Sequence, residues 1–179
     1  IKAFIERWLQ VIKAVTVIIP ILGIIWGVTQ FYLQQQNDYK RALDQQYQST
    51  LQNYLDHMSD LLLKNNLQRS STKDIVRKIA LAQTLAALEN LNNSRKSILV
   101  DFLYESDLIS SNQPILNLRD ADLSYVDLSD TSFEAINLSN ASLEHVNLNN
   151  CSLNDANLSA ADMSNADLGN VDLINANLK

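Results

Sequence analysis

The stretch that decides the fold runs from Ala121 to Asn140 and reads ADLSY VDLSD TSFEA INLSN. A large apolar side chain stands third in each group of five, and a small or β-branched one stands first. The position between them is Asp, Asn or Ser. A period of five fits neither the 3.6 residues of a helical turn nor the two of a regular strand. We therefore expect a chain that turns at every repeat and points both apolar positions inward.

The same period runs through the last third of the chain. Large apolar residues occupy thirteen consecutive third positions: Leu118, Leu123, Leu128, Phe133, Leu138, Leu143, Leu148, Leu153, Leu158, Met163, Leu168, Leu173 and Leu178. The inward position two residues before is small or β-branched in the twelve repeats that start at Ala121, Val126, Thr131, Ile136, Ala141, Val146, Cys151, Ala156, Ala161, Ala166, Val171 and Ala176. Four turns close a square of twenty residues, and coils stacked at a strand spacing of about 4.8 Å bury one Leu/Phe column and one Ala/Val column.

These repeats resemble the A(D/N)Lxx pattern of the pentapeptide-repeat family over residues 116–179. The resemblance implies a right-handed quadrilateral β-helix. Residues 51–63 (LQNYLDHMSDLLL), 80–88 and 95–109 (RKSILVDFLYESDLI) also resemble the helical segment that precedes the repeats in membrane-anchored cyanobacterial members. This second resemblance implies repeats on the cytoplasmic side of a thylakoid or plasma membrane, with a photosynthetic or transport assembly as a neighbour.

A separate apolar segment lies near the start of the chain. Residues 14–37 carry no charge, and the twenty residues from Ala14 to Leu33 would span about 30 Å as a helix, the hydrocarbon thickness of a bilayer. We predict a transmembrane helix, kinked at Pro20. The alternatives are a buried helix of a soluble protein and a signal peptide, and the absence of a small-x-small cleavage site disfavours the latter.

Flanking charge does not orient this span. Lys2, Arg7 and Lys13 precede it, and Lys40 and Arg41 follow it, so the balance is three against two. We therefore take the cytoplasmic placement of the repeats from the resemblance alone.

Between residues 38 and 110 the apolar period becomes helical. One stripe continues the first helix through Tyr39, Leu43, Tyr47, Leu51, Leu55, Met58 and Leu62. Ser71-x-x-Asp74 fits a capping box and predicts a second helix from about Thr72 to Leu91, with core positions Ile75, Ile79, Ala82, Leu85 and Leu88. A third helix is predicted from Ile98, Leu99, Phe102, Leu103 and Leu108, with loops at residues 65–71 and 92–94.

The predicted fold class is thus α plus β-solenoid, in three parts. Residues 1–37 form the transmembrane anchor, residues 38–110 the small helical unit, and residues 115–179 the β-helix of repeats. An open solenoid end exposes unpaired backbone, so we expect the helical unit to cap the first coil. The covering side chains would be Leu103, Leu108 and Ile109, over Leu116 and Leu118.

Charge is distributed unevenly along the chain. Residues 1–114 hold 12 bases and 10 acids, whereas residues 115–179 hold 2 bases and 10 acids, a net charge of −8. That sign is wrong for binding nucleic acid, whose affinity comes from Lys and Arg. Three Gly and two Pro exclude a Gly-rich phosphate loop and a Pro-rich linker. A single Cys excludes a disulfide scaffold and a metal site built from several cysteines.

No catalytic, cofactor or metal site is predicted, and we expect no enzyme and no small-molecule substrate. Regular faces of a solenoid offer no cavity in which unlike groups converge. Cys151 takes an inward position and is interpreted as a structural thiol. His145 is interpreted as a solvated side chain beside Glu144, and His57 has no partner at ligand spacing. Asn117, Asn137, Asn157 and Asn177 share a column, which predicts a ladder of amide hydrogen bonds.

The predicted function is a membrane-tethered, non-catalytic interaction scaffold whose acidic or polar face receives a protein partner. The candidate surface comprises Tyr125, Glu144, His145, Asp122, Asp127, Asp162 and Asp167. The alternative is an accessory subunit of a larger membrane complex, held through the transmembrane helix itself. Some members of the resembled family mimic DNA, but about three and a quarter coils reach only about 16 Å at strand spacing, and a membrane anchor disfavours that role.

The two ends of the given sequence also bear on what we expect of the natural chain. It begins at Ile1, and the repeat register still holds at Leu178, one residue before Lys179. We expect the natural chain to continue past Lys179, or else the last coil to be covered by a partner or a second copy.

Overall fold

This computed structural model describes residues 2–110 and 114–179, except for the side chains of Val11 and Ala14. The chain divides into two compact units, Ile1–Gln45 and Gln46–Lys179. The first unit is the N-terminal part of helix α1, which runs from Lys2 to Leu63 and passes through Pro20 without ending. An 18-residue window of α1 has a mean hydropathy of 2.3 and none of it is buried. By length and composition this helix is therefore able to cross a membrane.

The second unit contains the end of α1, two more helices and the repeats. A short 3₁₀ turn, Leu67–Arg69, leads to α2, Ile75–Asn90, and α3 follows as Asn93–Glu105. Asn92 caps α3 by accepting a hydrogen bond from the Arg95 amide. The three predicted helices are present, and the end of α2 lies one residue from the predicted Leu91.

The predicted start of α2 is wrong by three residues. Ser71 does not cap the helix; Asp74 is its N-cap, and the helix begins at Ile75. Only one bond of the expected box forms, from the Ser71 amide to the Asp74 carboxylate at 2.7 Å. The Ser71 hydroxyl also donates to Asp74, at 2.9 Å, rather than accepting from the helix. Both bonds lower the pKa of Asp74.

The predicted core face of α2 is also wrong. Ile75, Ile79 and Ala82 are exposed and Leu85 is half-buried, so that only Leu88 of the predicted set is fully inside. The buried residues of α2 are Ala80, Thr84, Ala87 and Leu88. Small side chains at these positions let α2 lie close to α1, where the Tyr54 hydroxyl and the Thr84 hydroxyl are 2.9 Å apart.

Three further positions of the predicted helices differ from expectation. Ile98 is exposed, and Leu108 lies three residues beyond the end of α3, although it is fully buried. The buried face of α3 instead comprises Lys96, Leu99, Val100 and Leu103. On α1, Tyr39 is exposed while Leu51, Tyr54 and Met58 are buried.

The repeats form stacked coils of twenty residues. Between residues 114 and 179, eight isolated parallel bridges join residues twenty apart, along the columns Asp122–Ser142–Asp162, Asp127–Asn147–Asp167, Ser132–Ser152–Asp172 and Asn137–Asn157–Asn177. Turns recur every five residues from residue 119 onward, four to a coil. The coil length predicted from the sequence is therefore confirmed, with pairing by single bridges rather than by longer strands in the part of the chain that is described.

Helices and coils share one hydrophobic core. Leu103, Leu108 and Ile109 are fully buried in the same cluster as Leu116 and Leu118. The Leu116 amide donates to the carbonyl of Leu108 at 2.7 Å. The rings of Tyr104 and Phe133 meet edge to face with centroids 5.2 Å apart. The first coil thus shares its buried core with α3 and with the segment that follows α3.

Candidate functional surface

The seven residues of the predicted interaction surface lie around one edge of the solenoid. We call them the acidic corner: Tyr125, Glu144, His145, Asp122, Asp127, Asp162 and Asp167. The edge itself is the turn column of Tyr125, His145 and Asn165, each twenty residues from the next. Two bridged columns flank it, one with Asp122 and Asp162 and the other with Asp127 and Asp167. The coil geometry therefore brings together residues that are spread over 46 positions of sequence.

Two rings stack along this edge. The Tyr125 and His145 ring centroids are 4.7 Å apart, with an interplanar angle of 16°. Tyr125 is 57% exposed, which is high for an aromatic side chain in contact with another ring. Nε2 of His145 lies 3.5 Å from the Glu144 carboxylate. The edge thus offers a flat, partly apolar surface next to a negative charge.

The backbone at both rings is left-handed. Tyr125 has φ 61° and His145 has φ 55°, a region that is uncommon for residues other than Gly, although His adopts it more often than Tyr does. Most of the other turn residues at this point of the repeat are Asn or Asp, which tolerate it. Ring stacking contributes about 0.5–1.5 kcal/mol, against a cost of about 1–2 kcal/mol for each left-handed residue. Stacking therefore offsets only part of the cost of placing two rings here.

The aspartates of the acidic corner have a structural task as well. Asp122, Asp127 and Asp162 each accept a hydrogen bond from the backbone amide two residues later, at 3.0–3.1 Å. Asp167 makes the same bond to Gly169 at 3.3 Å. These bonds close the turn of each repeat. The turn needs a side-chain oxygen that accepts this bond, which explains why the repeat has Asp or Asn at this position. An Asn amide would serve equally well, so an Asp here adds charge that the turn itself does not require.

Hydrogen bonding lowers the pKa of two of these carboxylates, Asp127 and Asp162. Both the hydroxyl and the amide of Ser129 donate to Asp127 and lower its pKa. The hydroxyl and amide of Ser164 do the same for Asp162. Two separate aspartates of the acidic corner are therefore negative at any pH near neutrality.

Asp122 differs from the rest because it has a cationic partner. The Lys96 ammonium, on the buried face of α3, lies 3.0 Å from the Asp122 carboxylate. Burial opposes ionisation of Asp122, but hydrogen bonds from Ser124 and Lys96 outweigh it and lower the pKa. Asp122 therefore ties the corner to the helices, and its charge is partly neutralised.

Sequence reasoning missed Lys96, although a signal for it exists. Lys96 stands three residues before Leu99 and seven before Leu103, which is the spacing of one helix face. A lysine in register with two core leucines buries its aliphatic stem, and where its ammonium is also buried it needs an acidic or carbonyl partner.

The predicted asparagine ladder forms in part. Nδ2 of Asn177 donates to Asn157 at 3.2 Å. Other coil-to-coil amide bonds lie on other columns, from Asn147 to Asp127 at 2.8 Å and from Asn170 to Asn150 at 3.1 Å. Polar side chains thus tie neighbouring coils together on several columns.

The remaining polar residues of interest are dispersed. Cys151 is buried beside Thr131, whose hydroxyl lies 3.7 Å from Sγ, and burial raises the pKa of the thiol. His57 is exposed on α1. Over residues 2–110 and 114–179, no three His, Cys, Asp or Glu side chains cluster in a way that would hold a metal ion.

Comparison with known proteins supports the repeat assignment. Residues 117–155 and 151–179 match the family described as Pentapeptide repeats, in eight copies. No curated protein matches the chain. Among solved structures, a pentapeptide repeat protein, Rfr23, from the cyanobacterium Cyanothece 51142 is 23% identical over 38% of this chain and 67% of its own, with a TM-score of 0.29. The matched family is one of repeats and not a catalytic one.

Proposed function

We propose that this chain is a membrane-tethered, non-catalytic interaction scaffold whose acidic corner receives a basic protein partner. The tether is the apolar part of α1, and the rigid support is the right-handed β-helix formed by the stacked coils. We place the repeats on the cytoplasmic side of a thylakoid or plasma membrane, following the family resemblance.

The observation that carries the proposal is the exposed ring pair set between two acidic columns. Tyr125 and His145 add stacked rings at backbone positions where Asn or Asp would cost less. Aromatic side chains at the centre of a charged surface are typical of binding hot spots. The rigid coils hold this surface in place without an ordering cost on binding.

Crosslinking in native membranes tests the proposal. A photoreactive residue at Asn165, on the same edge, should capture a protein partner of basic character. The acidic-corner variant, Asp127→Asn, Glu144→Gln, Asp162→Asn and Asp167→Asn, should abolish capture while keeping every turn acceptor. The matched control neutralises four acids elsewhere on the solenoid, Asp130→Asn, Glu134→Gln, Asp155→Asn and Asp172→Asn, and should capture normally. Equal capture by both variants would refute a role for the acidic corner.

The rival function, an accessory subunit held by its transmembrane helix, predicts a different pattern. A complex that co-migrates on native electrophoresis would then persist in the acidic-corner variant. It would dissociate when residues 14–33 are replaced by an unrelated membrane-spanning sequence.

A further inference from the structure

A second charged surface lies at the end of the α1–α2 pair, remote in sequence from the repeats. Residues 64–78 hold five bases and one acid, a net charge of +4 in a chain whose total is −6. Of the five bases, Arg77 is used inside the fold, where it donates to the carbonyl oxygens of Pro114 and Ile115. Lys64 pairs with Asp60 at 2.8 Å. The other three, Arg69, Lys73 and Lys78, are exposed, and none forms an ion pair with any described residue.

Large apolar side chains accompany these bases. Leu63 is 82% exposed at the end of α1, and Ile75 is 75% exposed at the start of α2. Ile79, one turn further along α2, is also exposed. We call the set Leu63, Lys64, Arg69, Lys73, Ile75, Lys78 and Ile79 the basic patch. A contiguous exposed apolar patch that is rimmed by polar residues marks a contact site.

Helix geometry places the two apolar ends together. Tyr54 and Thr84 contact each other across the antiparallel pair, with their hydroxyls 2.9 Å apart. Leu63 lies nine residues after Tyr54, and Ile75 lies nine residues before Thr84. Equal rises of about 13 Å along both helices bring Leu63 and Ile75 to the same end of the pair.

We infer that the basic patch binds the acidic corner of a second copy of this chain. The inference rests on the proposed function and deepens it by naming the partner. Residues 115–179 carry a net charge of −8, opposite in sign to the patch. The rings of Tyr125 and His145 give the patch's leucine and isoleucines an apolar counterpart.

Electrostatics favours this orientation of two copies over other relative orientations. Two chains of net charge −6 repel each other in most orientations, whereas apposition of patch and corner joins opposite signs. Each copy has one patch and one corner, and a head-to-tail contact between them would leave one of each unoccupied at the ends of an assembly.

Sedimentation of the full chain in neutral detergent micelles tests the inference. The wild-type chain should self-associate at about 50 mM salt and dissociate at about 500 mM salt. The patch variant, Arg69→Glu, Lys73→Glu and Lys78→Glu, should associate at least about tenfold more weakly. The acidic-corner variant should also associate at least about tenfold more weakly, because each variant lacks one half of the contact.

Mixing the two variants is the decisive step. The patch variant retains an intact corner, and the acidic-corner variant retains an intact patch. A one-to-one mixture should therefore form a dimer that neither variant forms alone. The control Lys2→Glu, Lys40→Glu and Arg41→Glu changes the net charge by the same amount outside the patch and should behave as wild type.

Three results would overturn the inference. One is a wild-type chain that stays monomeric at low salt. Another is a mixture that sediments as monomers. The third is native mass spectrometry in micelles doped with phosphatidylglycerol in which bound lipid is lost from the patch variant alone, which would assign the patch to anionic lipid. In each of these cases, capture at Asn165 of a basic protein other than this chain would leave the proposed function standing.

Discussion

Lys96 Nζ lies 2.8 Å from the backbone carbonyl oxygen of Asp122 and 3.0 Å from its carboxylate. One ammonium therefore joins α3 to the first coil, across 26 positions of sequence. Lys96 is 4% exposed, so its charge is stabilised by these two oxygens rather than by water. The contact fixes the helices on the side of the acidic corner where Asp122 stands.

Replacing this lysine tests the junction. Lys96→Met keeps the aliphatic stem but leaves the Asp122 carbonyl without its donor, and we expect a loss of about 1–3 kcal/mol in the free energy of unfolding. Urea unfolding followed by circular dichroism measures it. Asp122→Asn keeps both the carbonyl and the turn acceptor but leaves the buried Lys96 ammonium without its counter-charge, so its loss should be at least as large as that of Lys96→Met. Equal stability of Lys96→Met and wild type would contradict the role of the ammonium.

Acid should weaken the repeats through Asp127 and Asp162. Their pKa values are lowered in the folded chain, chiefly by hydrogen bonds from Ser129 and Ser164. A lowered folded pKa contributes stability that is present above the unfolded value, about 3.9, and is lost as pH falls through the folded value. The melting temperature should therefore drop below about pH 4.

Asparagine substitution separates charge from hydrogen bonding in this acid transition. Asp162→Asn keeps an oxygen acceptor for the Ser164 amide but does not titrate, so the fall in melting temperature below pH 4 should be reduced. Asp162→Ala removes the acceptor and should lower the melting temperature at every pH. An unchanged acid profile in Asp162→Asn would exclude this residue from the transition.

Alkali should act on the helical unit instead. Burial raises the pKa of Tyr54 well above its usual range, even though the bond to Thr84 opposes the shift. A raised folded pKa contributes stability that is complete below the unfolded value, about 10, and is lost as pH rises toward the folded one. The free energy of unfolding of Tyr54→Phe should therefore fall less steeply above pH 10 than that of the wild-type chain. Thr84→Val is the matched variant, because it removes the hydroxyl partner and leaves the phenol. Equal alkaline profiles for Tyr54→Phe and wild type would show that the phenol stays accessible to water.

A left-handed alanine offers a site for stabilisation. Ala160 is exposed with φ 55°. Ala160→Gly should raise the free energy of unfolding by about 0.5–1 kcal/mol, because glycine adopts this conformation without steric cost. In Ala141→Gly, by contrast, a buried alanine outside the left-handed set loses packing and should lower stability by about 1 kcal/mol. A destabilised Ala160→Gly chain would show that the turn carries no strain.

The residues of the acidic corner could be predicted from the sequence because, in a regular repeat, the sequence position of a residue fixes its place on the solenoid. Once twenty residues make a coil, Tyr125 and His145 must share an edge, and Asp127 and Asp167 must share a column. Their stacking and hydrogen bonds follow from that register. The ion pair between Asp122 and Lys96 could not be predicted from the repeat register, since Lys96 lies outside the repeats.

The sequence by itself determined the twenty-residue coil, its two buried columns, the long apolar helix and the number of helices between them. Each of these features follows from a short-range sequence pattern that extends over many residues. Tertiary structure alone decided which face of α2 is buried, because Ile75 and Ile79 offer as apolar a face as Ala80 and Leu88. The choice came from close packing against α1, where Thr84 meets Tyr54 and small side chains allow the approach.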